Sequence, residues 1–306
     1  MSTAAVPPIS VVEVTESSVR DFWVLLKPGV LSLVVFTGLV GLYMAPGDIH
    51  PLIATVAVLC IAMGSGAGGA INMWYDRDID AIMNRTSSRP VPAGRIAPAD
   101  ALGFGIILAI VSVSVMGVVV GWVAASILAF AIFFYAVIYT MWLKRTTSQN
   151  IVIGGAAAAF PPMIGWAAVT GDVSWVSLSL FLIIFLWTPP HFWALALYRN
   201  SDYQKANVPM MPVVKGLAET KKQIVFYSYL LVVSSFLPVY LQATGLLYGV
   251  SAAVLGYLFV KLARDVMRSN EEAPARKLFG FSIVYLFALF AVMSLDHGIM
   301  HIIKQL

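Results

Sequence analysis

Nine apolar runs separated by polar stretches organise the chain. They cover 26–45, 51–71, 101–120, 122–143, 150–169, 174–197, 223–242, 246–265 and 277–298. Each is close to the ~20 residues that a helix needs to cross the hydrocarbon core, where backbone polar groups must be satisfied internally. The pattern predicts an all-α integral membrane protein of nine transmembrane helices. Residues 1–22 read as a cytosolic N-terminal tail and 23–306 as a single transmembrane domain.

Composition agrees. Of the 306 residues, 60% are hydrophobic and 11% charged, against roughly one quarter charged in soluble domains. With a cytoplasmic N-terminus and nine spans, 18 of the 19 Lys and Arg fall on the cytosolic side. Only Lys304 lies across, and the short turns around Gly47, Gly121, Gly171 and Gly245 carry no basic residue, as the positive-inside rule requires. The net charge of +4 therefore reports topology. No continuous, aromatic-interleaved basic patch points to nucleic acid. The single cysteine, Cys60, excludes an intramolecular disulfide. The first 20 residues hold Glu13, Glu16 and one basic residue, Arg20, which fits neither a signal peptide nor an Arg-rich transit peptide. A bacterial cytoplasmic (inner) membrane is the expected location.

Two cytosolic loops, 72–100 and 198–222, are long, charged and proline-containing, and such loops commonly carry function. The first opens Asn72-Met73-Trp74-Tyr75-Asp76-Arg77-Asp78-Ile79-Asp80. On a continuing helix Asn72, Asp76 and Asp80 share one face and Asp78 turns away. Two carboxylates about 6 Å apart repel by roughly 3 kcal/mol at an effective dielectric near 20, so the stripe calls for a cation. Oxygen-only ligands favour Mg2+, which takes one or two carboxylates together with substrate phosphates. Arg85, Arg89 and Arg95 nearby suit a metal-bound, anionic ligand such as a diphosphate. The alternative is a solvated helix end with Asp and Arg paired for solubility. In the second loop Asp202 again stands among cations at the cytosolic end of a span.

In these strings the chain resembles the UbiA-type intramembrane prenyltransferase superfamily, and within it the members that farnesylate haem. The superfamily likeness rests on Asn72, Asp76 and Asp80, a second acidic loop and nine spans. The narrower one rests on Lys27-Pro28, Asn84-Arg85-Thr86, Arg89 to Gly94, Leu143-Lys144-Arg145, Gln149 to Gly155, Pro189-Pro190-His191-Phe192-Trp193, Asp202-Tyr203 and Pro209 to Val213. The chain departs from many superfamily members in its second loop. Positions four before and after Asp202 are Tyr198 and Ala206 rather than acidic residues, and haem-type members share this single-Asp form.

The resemblance implies transfer of a farnesyl group from farnesyl diphosphate to a vinyl group of haem B, giving haem O. It implies Mg2+ held by Asn72, Asp76 and Asp80 with Asp202, and a substrate shell of Lys27, Arg85, Arg89, Lys144, Arg145, Arg199, Tyr203 and Lys205. The lipid bilayer and a downstream haem A synthase are the implied partners. His191, close to the cytosolic end of a proline-containing span, reads either as a haem contact or as a hydrogen-bond partner of helix backbone. His50, His297 and His301 read as interfacial, and Trp166, Trp187 and Trp193 as packing or as a prenyl tunnel. A quinone-precursor prenyltransferase would share the metal chemistry but would want a cation for an aromatic acid. A secondary transporter would place its acidic sites near the bilayer midplane, where this chain has none of those described.

Overall fold

A computed structural model describes residues 17–305; most of the expected cytosolic tail, residues 1–16, lies outside the described residues. The helices are α1 (Val19–Leu25), α2 (Pro28–Tyr43), α3 (Pro51–Tyr75), α4 (Arg77–Ile82), α5 (Pro98–Val120), α6 (Trp122–Thr146), α7 (Asn150–Thr170), α8 (Trp175–Tyr198), α9 (Asn200–Lys205), α10 (Gly216–Tyr240), α11 (Leu246–Arg268) and α12 (Glu272–Gln305). Among the described residues, eight helices are long and apolar enough to cross a membrane. The count is nine when α1 and α2 form one span, bent by 56°.

The first expected span, 26–45, is thus broken near its N-terminal end. Lys27 adopts a left-handed conformation (φ 55°) between α1 and the Pro28 that opens α2. Proline is preorganised for a first helical position and disfavours the right-handed helical region in the residue before it. Ahead of the break, α1 starts from a capping box between Ser18 and Asp21, and Asp21 accepts from Arg95 Nε at 2.7 Å.

The spans form a bundle with α7 and α8 at its centre, the two most enclosed helices. The helix α7 packs against α2, α6 and α8, while α8 packs against α10 and α12. One apolar core lies around α8, α10, α11 and α12, and a second around α2, α3, α6 and α7. The α2–α7 approach is so close that a Cβ on Gly41 would overlap the Pro162 backbone. Outward positions such as Ile107, Ile110, Val254 and Leu295 remain exposed, as lipid-facing surfaces do. At the outer ends, His50 Nδ1 accepts from Leu52 N at 3.2 Å, and the buried Asp296 carboxylate accepts from Gly245 N and Tyr248 N at the start of α11.

Candidate active site

The stripe expected from spacing is present, on a helix that is not continuous. Asp76 ends α3 and begins α4, yet the backbone bonds Asp76 N to Asn72 O (2.9 Å) and Asp80 N to Asp76 O (2.8 Å) survive the break. Asn72, Asp76 and Asp80 are therefore still on one face. All three are buried, Asp76 completely, whereas Asp78 is exposed. Burial goes against the solvated part of the helix-end alternative, while its Asp–Arg pairing is present, Asp80 with Arg89 and Asp78 with Arg145.

The stripe is also not left to repel itself, as electrostatics alone had suggested. Lys144, from the end of α6, pairs with Asp76 Oδ2, and Arg89 Nη1 meets Asp80 Oδ2 at 2.6 Å. Asn72 connects the set. Its Nδ2 donates to Asp76 Oδ2 (2.7 Å) and Thr140 Oγ1 (2.9 Å), and its Oδ1 accepts from Lys27 Nζ. Lys27 also donates to Tyr135 OH at 3.2 Å, so the left-handed turn at Lys27 delivers its ammonium to α3 and α6. Arg145 clasps Asp78 with both terminal nitrogens at 2.7 Å, which holds the Asp78 carboxyl down at about 2.

Lys27, Asn72, Asp80, Arg89 and Lys144 edge a cavity of about 270 Å³ that runs between α2, α3, α6 and α7; Asp76 and Arg145 stand behind this lining. Its polar end is made by Lys27, Asn72, Asp80, Arg85, Arg89, Lys144 and Tyr203; the deeper wall is apolar, with Val34, Leu128, Ile132 and Ile164. Burial raises the Tyr203 phenol, and neighbouring Arg85 pulls it partly back. Tyr135 and Tyr139 stack in the same wall, with centroids 5.7 Å apart and planes 10° from parallel. Both belong to a π-helical stretch, Phe134–Leu143, a form that recurs at functional sites. Gly154 makes room for them, because a Cβ there would overlap the Tyr139 ring. Sequence reasoning missed Tyr135, Tyr139 and Thr140, all three in that stretch.

Not every expected site residue reaches the cavity. Asp202 is buried in α9, but its neighbour Tyr203 is the one that lines the space. Arg199 lies 5.8 Å from the Tyr198 ring centre and Lys205 is exposed. His191 faces α12: its Nδ1 is 2.6 Å from Ser282 Oγ, and its ring stacks between Trp187 and Phe279 at 4.2 and 4.6 Å.

The donor set suits a hard divalent ion shared with an anionic substrate. The described residues contain no cluster of three or more His, Cys, Asp or Glu, so a closed protein cage is not what is offered. What is offered is two buried carboxylates, one of whose oxygens, Asp76 Oδ1, has no hydrogen-bond partner among the described residues. Mg2+ binds in this manner, completing its shell with water and phosphate.

A sequence profile of the UbiA prenyltransferase family matches residues 34–290. The chain belongs to the UbiA prenyltransferase family. It is 59% identical over 288 residues to a protein named protoheme IX farnesyltransferase from Rhizobium johnstonii, covering 93% of this chain and 91% of that one. It is 57% identical over 286 residues to one from Brucella ovis, covering 92% of each. Among solved structures, the fold is similar to a digeranylgeranylglyceryl phosphate synthase (TM-score 0.76, 20% identity, 91% of this chain and 98% of that chain). It is also similar to a UbiA homologue from Archaeoglobus fulgidus bound to DMAPP and Mg2+ (TM-score 0.66, 17% identity, 89% and 99%). Like its family, this UbiA member is a multi-pass membrane protein.

Proposed function

We infer that this protein transfers a farnesyl group from farnesyl diphosphate to a vinyl group of haem B (protohaem IX). The allylic carbon–oxygen bond breaks with release of diphosphate, and the vinyl carbon bonds to the farnesyl carbon. Water then adds to the resulting cation with loss of a proton, completing the hydroxyethylfarnesyl side chain of haem O. The single observation that carries the chemistry is the buried Asp76–Asp80 pair, Asp80 at the polar end of a membrane-embedded cavity ringed by Lys27, Arg85, Arg89 and Lys144, and Asp76 joined to that end through Asn72 and Lys144. The haem acceptor is supported by identities of 57–59% over nearly the whole chain to proteins named protoheme IX farnesyltransferase.

In this reading Asp76 and Asp80 would hold Mg2+, and Asn72 orients Asp76 through Nδ2. Bound there, the ion would supply Lewis-acid neutralisation of the diphosphate oxygens. The four cations bind the diphosphate and oppose the charge that grows on it as the carbon–oxygen bond breaks, an effect strengthened in a site shielded from bulk water. Tyr203 adds a hydrogen-bonding phenol beside Arg85. The apolar wall takes the prenyl chain and keeps water from the allylic carbon until the vinyl carbon attacks, and the Tyr135 and Tyr139 rings flank that path. The positive-inside bias and the bacterial relatives support residence in the bacterial cytoplasmic membrane. There the product would pass to a haem A synthase.

The test is to incubate purified protein with haem B, farnesyl diphosphate and Mg2+ and to look for haem O by mass. The expected result is a product that requires both Asp76 and Mg2+. Prenylation of 4-hydroxybenzoate with no haem product would overturn the acceptor assignment.

A further inference from the structure

Asp78 is the carboxylate of the first loop that faces away from the cavity, with a side chain 59% exposed. It nevertheless holds both ends of the Arg145 guanidinium, Nη1 on Oδ2 and Nη2 on Oδ1, each at 2.7 Å. A bidentate fork of this kind fixes direction as well as distance. The same Nη2 donates to the Tyr75 carbonyl at 3.2 Å, and the guanidinium lies 4.7 Å from the centre of the Tyr75 ring. Arg145 therefore grips the chain on both sides of Asp76. Its Nη2 stops 3.6 Å from Asp76 Oδ1, outside hydrogen-bonding distance, and Oδ1 has no other partner among the described residues. Arg145 and Asp76 are both absent from the cavity lining formed by the described residues, but Asp76 Oδ2 is bonded to the lining residues Asn72 and Lys144, so Arg145 acts on the site through Asp76.

An unrestrained guanidinium would close that gap, since a desolvated carboxylate is a stronger acceptor than one in water. We propose that Asp78 and Arg145 are a positioning pair: Asp78 restrains the Arg145 guanidinium so that it fixes the Asp76 turn yet leaves Asp76 Oδ1 unbonded for the metal. This rests on the metal–diphosphate reading above and adds a role for two side chains that do not face the substrate.

The test uses full-length Asp78→Ala, Asp78→Glu and the Asp78→Ala/Arg145→Gln double variant. Mn2+ binding is followed by electron paramagnetic resonance with the unreactive farnesyl thiodiphosphate, and the Mg2+ dependence of kcat and KM is measured with haem B and farnesyl diphosphate. Loss of a residue that orients a metal ligand weakens metal binding by about 10- to 100-fold. Asp78→Ala is therefore expected to weaken Mn2+ binding, and to raise the Mg2+ needed for half-maximal turnover, within that range, while kcat at saturating Mg2+ is retained. Asp78→Glu keeps the restraint and stays close to wild type. In the double variant the competing guanidinium is gone and Mn2+ affinity returns toward wild type, whereas a pair that merely stabilised the fold would leave the double variant no better than the single. Unchanged Mn2+ affinity in Asp78→Ala overturns the proposal, as does a fall in kcat that saturating Mg2+ does not restore. Wild-type protein that binds Mn2+ with the thiodiphosphate but never prenylates haem overturns the proposed function and leaves the positioning pair standing. Wild-type protein that binds no Mn2+ overturns both.

Discussion

The Arg89–Asp80 pair is asymmetric, and the asymmetry can be tested without measuring turnover. The Asp80 side chain is 3% exposed and that of Arg89 21%. Removing one member of a buried pair costs about 3 to 5 kcal/mol because the other charge is left uncompensated. Arg89→Ala strands Asp80 in the protein interior, so its cost is expected near the lower end, about 3 kcal/mol. Asp80→Ala strands a guanidinium that already edges the cavity and keeps part of its hydration, and should cost about 1 kcal/mol or less. At roughly 2 to 4 °C per kcal/mol for chains of this size, Arg89→Ala should melt some 6 to 12 °C below wild type, and Asp80→Ala within about 4 °C of it. Adding Mg2+ discriminates further. With Arg89 gone, Asp80 is free to bind the ion, and occupancy at about 100 times Kd returns roughly 2.7 kcal/mol. In Asp80→Ala the ligand itself is missing and Mg2+ returns little. The assay is tryptophan-fluorescence melting of detergent-solubilised protein at one scan rate, with and without Mg2+. Equal melting points for the two variants, or equal Mg2+ effects on both, would refute the reasoning.

Asp76→Asn preserves side-chain size but removes the charge that pairs with Lys144, and should lower kcat for haem prenylation by about 10²- to 10³-fold while haem still binds; wild-type turnover would remove Asp76 from the chemistry. His191→Ala leaves Ser282 without its ring partner and opens the aromatic stack, costing about 1 to 3 kcal/mol in thermal stability. The Soret band of the haem-loaded protein should not move, and a shifted band would return His191 to the haem site. Gly154→Ala forces the Tyr139 ring toward the cavity and should cost about 1 to 3 kcal/mol through overpacking, with a raised KM for farnesyl diphosphate; an unchanged KM would show that the ring yields in another direction.

How much of this was legible in the sequence differs from residue to residue. Asn72, Asp76 and Asp80 could be read because a four-residue spacing survives even a broken helix, provided the backbone bonds on either side are kept. Their partners could not, since Lys144 lies 68 positions from Asp76 and nothing local announces the pair; the carboxylates therefore looked as though they needed a metal to coexist. Asp202 and Tyr203 are adjacent, and which of them meets the cavity depends on how α9 is rotated by tertiary packing. The π-helical stretch from Phe134 to Leu143 is silent for another reason. Widening a helix changes no residue type, so the alignment of Tyr135, Tyr139 and Thr140 toward the site carries no periodic signature. The break at Lys27 was half visible in Pro28, but proline at a first helical position usually follows extended chain, and here it follows a left-handed turn.

That break has a consequence for the membrane around the protein. Pro28–Tyr43 has 16 residues and, at 1.5 Å per residue, is about 24 Å long, against a hydrocarbon thickness of about 30 Å. The deficit of roughly 6 Å lies at the end where α1 swings away by 56° and the Lys27 ammonium enters the cavity. Short spans are accommodated by local thinning of the bilayer and by snorkelling side chains. Lipid beside α2 should therefore dip toward the cavity mouth, so that a charged head travelling in the cytosolic headgroup layer meets Lys27 at its own depth while its hydrocarbon tail never leaves the acyl chains.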